Sequence, residues 1–308
     1  MYILKRILTM ILTIWVIVTL TFVMMKFIPG DPFASDADVL PPEVLENMRA
    51  QYNLDKPVAV QYVLYLKGLA SFDLGPSIES RTRSVNDIIK SGFPPSAFLG
   101  LQSLAIALFF GLLLGIIAAL YHNRFLDYIS MIIAIIGISI PSFILAPLLI
   151  KVFSVDLGIF PVATWGTWMH TVLPSIALAS MPLAVVARFM RSSMIEVMNA
   201  NYIRTADAKG LSTAGIVIKH GIRNAILPVV SFIGPLFVSL ITGTFVIEKI
   251  FAIPGIGRYF VDSIFNRDYP VIMGTTIFFS VILVFTLFLI DISYRLIDPR
   301  ISLTSKEG

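Results

Sequence analysis

Few side chains in this sequence could carry chemistry, and they are scattered. His122, His170 and His220 are its three histidines, and none stands in an H-E-x-x-H zinc helix. There is no cysteine, which removes thiolate zinc sites, iron–sulfur clusters, disulfides and thiol nucleophiles together. No Gly-Lys pair occurs, so the chain has no G-x-x-x-x-G-K-[ST] phosphate loop. ATP-driven work would have to draw on another chain. No catalytic constellation and no metal site is expected. Two sets of polar residues remain. One is a series of small hydroxyls inside apolar runs: Ser139, Ser142, Ser175, Ser180, Ser231, Ser239, Thr242 and Thr244. Such groups can line a wet path, or pack helices closely in lipid. The other is a charged stretch, residues 191–225, with a helical pattern broken at Gly210. It reads either as an interfacial amphipathic linker or as a docking element for a partner. Asp291 and Arg295 add a pair four residues apart, on one face of the last apolar run.

The elements that position these groups follow from composition. The chain has 308 residues, 57% apolar and only 14% charged, with a mean hydropathy of +0.87. A soluble chain averages about 25% charged, and two cores of about 150 residues each could not hide this much apolar surface. Six runs approach the length of about 20 residues that a spanning helix needs: 7–28, 96–120, 128–153, 171–190, 226–247 and 273–290. The expected fold class is therefore an all-α polytopic membrane protein with six transmembrane helices. The first run outlasts a signal h-region and ends in Pro29-Gly30-Asp31-Pro32 with no small-residue cleavage site, so it reads as an uncleaved helix. Pro174 and Pro182 interrupt the fourth run, while Pro141, Pro147 and Pro235 lie inside the third and fifth. Each is either a kink that helps packing or a hinge around a path.

Orientation follows from Lys and Arg in the loops. With the N-terminus in the cytoplasm, that side holds 12 basic and 6 acidic residues, and the outside 9 basic and 13 acidic. Both termini are expected in the cytoplasm. Residues 29–95 then form an outer segment of net charge −3, too long for a simple connector. A short helix is expected at 43–52, before an ordered stretch over 58–74 in which Tyr62, Tyr65 and Phe72 recur. Another is expected at 84–91, with Ser84 as N-cap and Asp87 three residues on. A small ordered extracytoplasmic subdomain results. The organisation expected is residues 1–28, the subdomain 29–95, and a core 96–308 that contains the cytoplasmic loop 191–225.

That loop carries a resemblance. Arg204-Thr205-Ala206-Asp207-Ala208-Lys209-Gly210-Leu211, followed by His220, Arg223-Asn224-Ala225 and Pro228, resembles the cytoplasmic loop of ABC importer membrane subunits. It is similar in particular to the peptide and nickel branch. The general loop opens Glu-Ala-Ala and places Gly six residues after the Glu. Here Arg204 and Thr205 stand at the first two positions, the spacing to Gly210 is kept, and Arg223 replaces the closing proline. Other motifs agree with it: Pro29-Gly30-Asp31-Pro32, Ser139-Ile140-Pro141-Ser142-Phe143, Leu173-Pro174-Ser175, Arg188 with Arg191, and Phe245-Val246-Ile247-Glu248-Lys249-Ile250-Phe251 with Pro254-Gly255-Ile256-Gly257. Asp298-Pro299-Arg300 agrees as well.

The resemblance implies a type I importer permease fold in a bacterial inner membrane. This chain would form half of a translocation pore for oligopeptides, beside a homologous second permease subunit. Two ATPase subunits would bind ATP and Mg, and an extracytoplasmic substrate-binding protein would deliver cargo. The chain itself would hold no cofactor, bind no nucleic acid and touch membrane lipid. The coupling residues would be Arg204, Thr205, Ala206, Ala208, Lys209, Gly210, Leu211, His220, Arg223 and Asn224. The small residues Thr205, Ala206 and Ala208 would allow a partner close, and Gly210 would close the helix end. Lys209 could serve that contact or simply complement the helix dipole. Pore-lining candidates are Ser139, Ser142, Ser175, Ser231, Ser239 and Thr242. The same design would also suit an importer of dipeptides, nickel or another small solute. A secondary transporter would carry more buried ionisable residues, and a membrane enzyme would need a site that is not present.

Overall fold

Hydrocarbon offers the backbone no hydrogen-bond partner, so an apolar span must satisfy its peptide groups internally, as a helix. Among the described residues the long apolar runs do so, two of them in bent pieces. The structure is a computed structural model and describes residues 2–27, 32–33, 40–242 and 244–297. The side chains of Thr242, Asp291 and Arg295, and the motifs Pro29-Gly30-Asp31 and Asp298-Pro299-Arg300, lie outside what is described. In chain order the helices are α1 (Tyr2–Phe27), α2 (Pro42–Gln51), α3 (Val58–Ala70), α4 (Val85–Leu120), α5 (Phe125–Ser139) and α6 (Ser142–Leu149). A π-helical stretch, Ile150–Asp156, follows. Next come α7 (Met169–Met198), α8 (Asn201–Ala208), α9 (Thr213–Ile216), a second π-helical stretch Val217–Ile222, and α10 (Arg223–Ala225). The chain continues through α11 (Leu227–Thr242), α12 (Phe245–Ile250), α13 (Ile256–Phe265) and α14 (Tyr269–Ile297). There is no β-strand among the described residues.

Four helices, α1, α4, α7 and α14, are each long and apolar enough to cross a membrane; counting each of two bent pairs as one span gives six. The bends do not fall where the prolines were densest. The fourth run, with Pro174 and Pro182, is one unbroken helix of 30 residues. The third run, expected as a single span over 128–153, is two helices meeting at 105°. The cause is local. A residue before proline is pushed out of the helical region, and Ile140 is extended at φ −99°, ψ 112°. Pro141 then caps α6 from outside. At about 1.5 Å per residue, α5 alone is about 22 Å long, short of the hydrocarbon core. The start of the second run also differs from expectation. Ser84 and Asp87 form the capping box, Oγ to Oδ2 at 2.6 Å and Asp87 N–H to Ser84 Oγ at 3.1 Å. The helix so started runs without interruption through Pro94 and Pro95 to Leu120.

The chain divides into two compact units, residues 1–94 with 254–288, and 95–253 with 289–308. In the first, Asp268 is buried and joins the stretch before α4 to the start of α14. It accepts from the Ser77 hydroxyl at 2.5 Å and the Glu79 N–H at 3.1 Å. Phe93 meets Phe278 edge-on, with centroids 5.0 Å apart. α3 lies on α1 through Tyr62 and Tyr65, whose rings stand against Phe22.

The second unit is built around α7. Helices α5, α6, α10, α11 and α12 all pack on it, and 56% of its apolar span is buried, against 11% for α1. Close approach rests on glycine. On α4, Gly111 and Gly115 form a G-x-x-x-G face that touches α7 directly. A Cβ at Gly115 would lie 2.6 Å from the Ala187 carbonyl oxygen and 2.7 Å from Met190 Cβ. Gly137 of α5 meets the Ser180 carbonyl in the same way. Around this post Leu99, Leu173, Val186, Met190, Val229, Leu236 and Ile247 form one apolar core.

Gly115→Leu should therefore overpack the α4–α7 seam and cost about 1–3 kcal/mol, lowering the unfolding temperature of the purified subunit in detergent. Gly166→Ala, where an added Cβ meets nothing within 4 Å, serves as control. Equal unfolding temperatures for the two variants would contradict this packing account.

Candidate functional site

The segment after α7 is built as a short hairpin on the end of that helix. α7 ends at Met198, and Ala200 turns extended before α8 begins. Ile203 and Ala206, three residues apart, lie on the inward face of α8 and are buried against Ile216 of α9 and Met198 of α7. Arg204, Thr205, Ala208, Lys209, Gly210 and Leu211 are exposed. Ala206 thus departs from the expectation that it offers a partner close approach. Its methyl group is spent on the hairpin's own packing.

The helix end is tightly specified. Gly210 has φ +77°, a left-handed conformation that a β-branched residue resists. Its N–H donates to the Asp207 carbonyl at 2.8 Å, and that of Leu211 donates to Ala206 at 3.3 Å. The two bonds make a Schellman motif, which satisfies the last carbonyls and reverses the chain. Lys209 caps the C-terminus, where its charge complements the helix dipole.

The second half of the segment holds the other expected residues. Ser212 caps α9 by accepting from the Gly215 N–H at 3.2 Å. The π-helical stretch that follows lies on α7, with Gly221 so close that an added Cβ would stand 2.6 Å from Met194 Cε. One open hollow is lined by Ile218, Lys219, His220, Arg223 and Asn224. Asn224 Nδ2 donates to the His220 carbonyl at 2.8 Å. The ten loop residues therefore divide into an exposed helix tip, this hollow and the inward Ala206. Nothing in the arrangement forms a nucleophile–base pair, and no metal-binding group of His, Asp and Glu occurs among the described residues.

Two charged contacts at the ends of the spans were not anticipated from sequence. Asp127, 2% exposed, accepts from Arg191 Nε at 2.7 Å and Nη2 at 2.8 Å. The Asn123 N–H adds a bond at 2.9 Å, and His122 Nδ1 lies 3.3 Å from both partners. This bidentate pair ties the α4–α5 turn to the last turns of α7. The second is Glu248, fully buried, which accepts from the buried Ser96 hydroxyl at 2.5 Å. A lone acid at the edge of an apolar run was the available signal, but its partner lies 152 residues away.

The hydroxyl candidates are dispersed. Ser139 and Ser142 flank the sharp bend at Pro141, with Ser139 exposed and Ser142 half-buried. On α11, Ser231 is half-buried and donates to the Leu227 carbonyl at 3.1 Å, while Ser239 is exposed. Ser175 departs from the expectation of a lining role. It is fully buried and donates to Gln102 Oε1 at 3.1 Å, because it sits on the face of α7 that packs against α4. Thr242 ends α11, and its side chain is not described.

Comparison with known proteins agrees over the whole length. Residues 111–303 match the family described as binding-protein-dependent transport system inner membrane component. Residues 1–83 match the N-terminal region of such membrane components. The chain is 55% identical over 305 residues to the dipeptide transport system permease protein DppB of Bacillus subtilis (strain 168), covering 99% of both chains. It is 43% identical over 302 residues to the oligopeptide transport system permease protein OppB of Haemophilus influenzae, covering 97% of this chain and 98% of that one. The identity and coverage are the same for OppB of Escherichia coli (strain K12). A crystal structure of an amino acid ABC transporter with histidines shares the fold, with a TM-score of 0.55 at 16% identity over 68% of this chain and 94% of that one.

Replacing Gly210 tests the helix end. Gly210→Val should strain the hairpin by about 1–3 kcal/mol, whereas Gly210→Asn, which tolerates the left-handed region, should cost less. Hydrogen exchange at the amides of residues 210 and 211 should be fastest in the valine variant. Equal protection in both variants and the parent would show that the positive φ does not hold the turn.

Proposed function

The chain belongs to the binding-protein-dependent transport system inner membrane components, and from that premise we propose that it is one of two permease subunits of an ATP-driven importer of short peptides. The observation that carries this reading is the outward face of α8. Arg204, Thr205, Ala208 and Lys209 are exposed on a hairpin closed by Gly210, in a chain with no phosphate loop of its own. An exposed helix tip closed by a Schellman motif fits a groove on a separate ATPase subunit, which would bind ATP and Mg. The hollow with His220, Arg223 and Asn224 gives that partner a second contact.

In this reading both termini and the hairpin lie in the cytoplasm, as the loop charges favour. Closure of two ATPase subunits moves α8, and the buried contacts of Ile203, Ala206 and Gly221 pass the movement to α7. A homologous second permease subunit completes the pore, because one chain has few polar intramembrane positions and a peptide's backbone groups cannot go unpaired in hydrocarbon. Ser139, Ser142, Ser231 and Ser239 supply polar surface toward that path. An extracytoplasmic binding protein delivers cargo to residues 29–95. The 55% identity to a dipeptide permease favours dipeptides among the short peptides.

The test is reconstitution of the chain with its second permease subunit, two ATPase subunits and the binding protein in liposomes. Labelled di- and oligopeptides should accumulate only with ATP. Accumulation driven by an ion gradient without ATP would overturn the proposal. Because the parent has no cysteine, Ser139→Cys, Ser231→Cys and Thr242→Cys can be labelled singly in the same complex. A water-soluble thiol reagent should modify them at rates that change with ATP. Three inert positions in every nucleotide state would move the pore to other faces.

A further inference from the structure

We infer that α3 is not part of a water-exposed domain but lies in the membrane–water interface, with its outward face against lipid acyl chains. The evidence lies within the first unit. α1 is apolar along Leu4–Phe27, and α3 touches it well inside that stretch. The Phe22 ring stands 5.2 Å from that of Tyr62 and 5.9 Å from that of Tyr65. Thr19 Oγ1 and the Tyr62 hydroxyl share a hydrogen bond of 2.6 Å. At about 1.5 Å per residue, Phe22 is about 8 Å and Thr19 about 12 Å inward from Phe27. A hydrocarbon half-thickness is about 15 Å. The two tyrosines therefore reach to the depth of acyl chains. Lys26 Nζ bonds Gln61 Oε1 near the boundary. At these same depths Leu20, Val23 and Met24 of α1 are exposed and face lipid.

The outward face of α3 continues that surface. Val60 and Val63 are exposed, Val63 at 62%, and Phe72 beyond the helix end is 87% exposed. Ala59 and Ala70 lie on the same face. Lys67 is its single charged residue, placed where a long side chain can reach the headgroups. A helix facing water would show a polar outer face. α2 in the same unit does, with Glu43, Glu46, Asn47, Arg49 and Gln51 exposed. With 13 residues α3 is too short to span. An apolar outward face with one snorkelling lysine, on a helix too short to span, marks an interfacial helix.

The experiment places nitroxide labels on full-length protein in phosphatidylcholine–phosphatidylglycerol vesicles, through Val63→Cys and, separately, Val60→Cys, with Glu46→Cys as the water-facing reference. Power-saturation measurements compare collisions with oxygen, which concentrates in lipid, and with a water-soluble nickel chelate. Labels at 63 and 60 should relax strongly with oxygen and lose most of the nickel effect seen at 46. Nickel accessibility at 63 and 60 equal to that at 46 would place α3 in water. Protection from both reagents would mean that a protein surface covers the face. Either result overturns the inference without bearing on peptide import, which the uptake assay reads separately.

Discussion

Inside a bilayer, helices gain little from hiding apolar side chains, because lipid is as apolar as leucine. What holds them together is close contact of backbone and small side chains. In the second unit that constraint converges on α7. Gly111 and Gly115 bring α4 onto it, and Gly137 brings α5 against the Ser180 carbonyl. The backbone contacts at Gly115 and Gly137 leave no room for a side chain, so the position of α7 is set by shape rather than by a general affinity. The bent third run depends on the same post. Its halves diverge by 105°, and both α5 and α6 then find their packing on α7.

The hairpin after α7 inherits this rigidity. It is not a loop hung between two spans. Met194 and Met198 of α7 reach into it at Gly221, and Ile203, Ala206 and Ile216 close it from within. The Arg191–Asp127 pair fixes the last turns of α7 to the neighbouring α4–α5 turn. Breaking such a pair strands a buried carboxylate. A push on the outer face of α8 therefore has short, well-packed routes into the helix that organises the unit. The proposed coupling to an ATPase on another chain needs such a route.

Much of this is legible in the sequence, for identifiable reasons. Gly210 after a short polar helix announces a left-handed cap, and the structure has one. Ser84 with Asp87 announces a helix start, and the box is formed. These signals are local, so a single sequence carries them. In the sequence Pro141 looks like Pro174 and Pro182, a proline inside an apolar run. The difference between them is tertiary: more than half of the apolar span of α7 is buried by its neighbours, whereas Pro141 is exposed. The Asp127–Arg191 and Ser96–Glu248 contacts join positions 64 and 152 residues apart, which neither periodicity nor spacing can pair. Ala206 belonged to a small-residue pattern shared by both faces of α8, and only Ile216 opposite it decides which face it serves.

In the proposed importer α8 presents one face to an ATPase and keeps the other for α9 and for Met198 of α7. Site-directed cross-linking in the assembled complex reads this directly, since no native thiol interferes. A thiol-anchored photoreactive group on Thr205→Cys should yield an adduct with the ATPase subunit, and the same group on Ile203→Cys should yield none or an intramolecular product. An ATPase adduct from Ile203→Cys but not from Thr205→Cys, or from neither, would contradict the account.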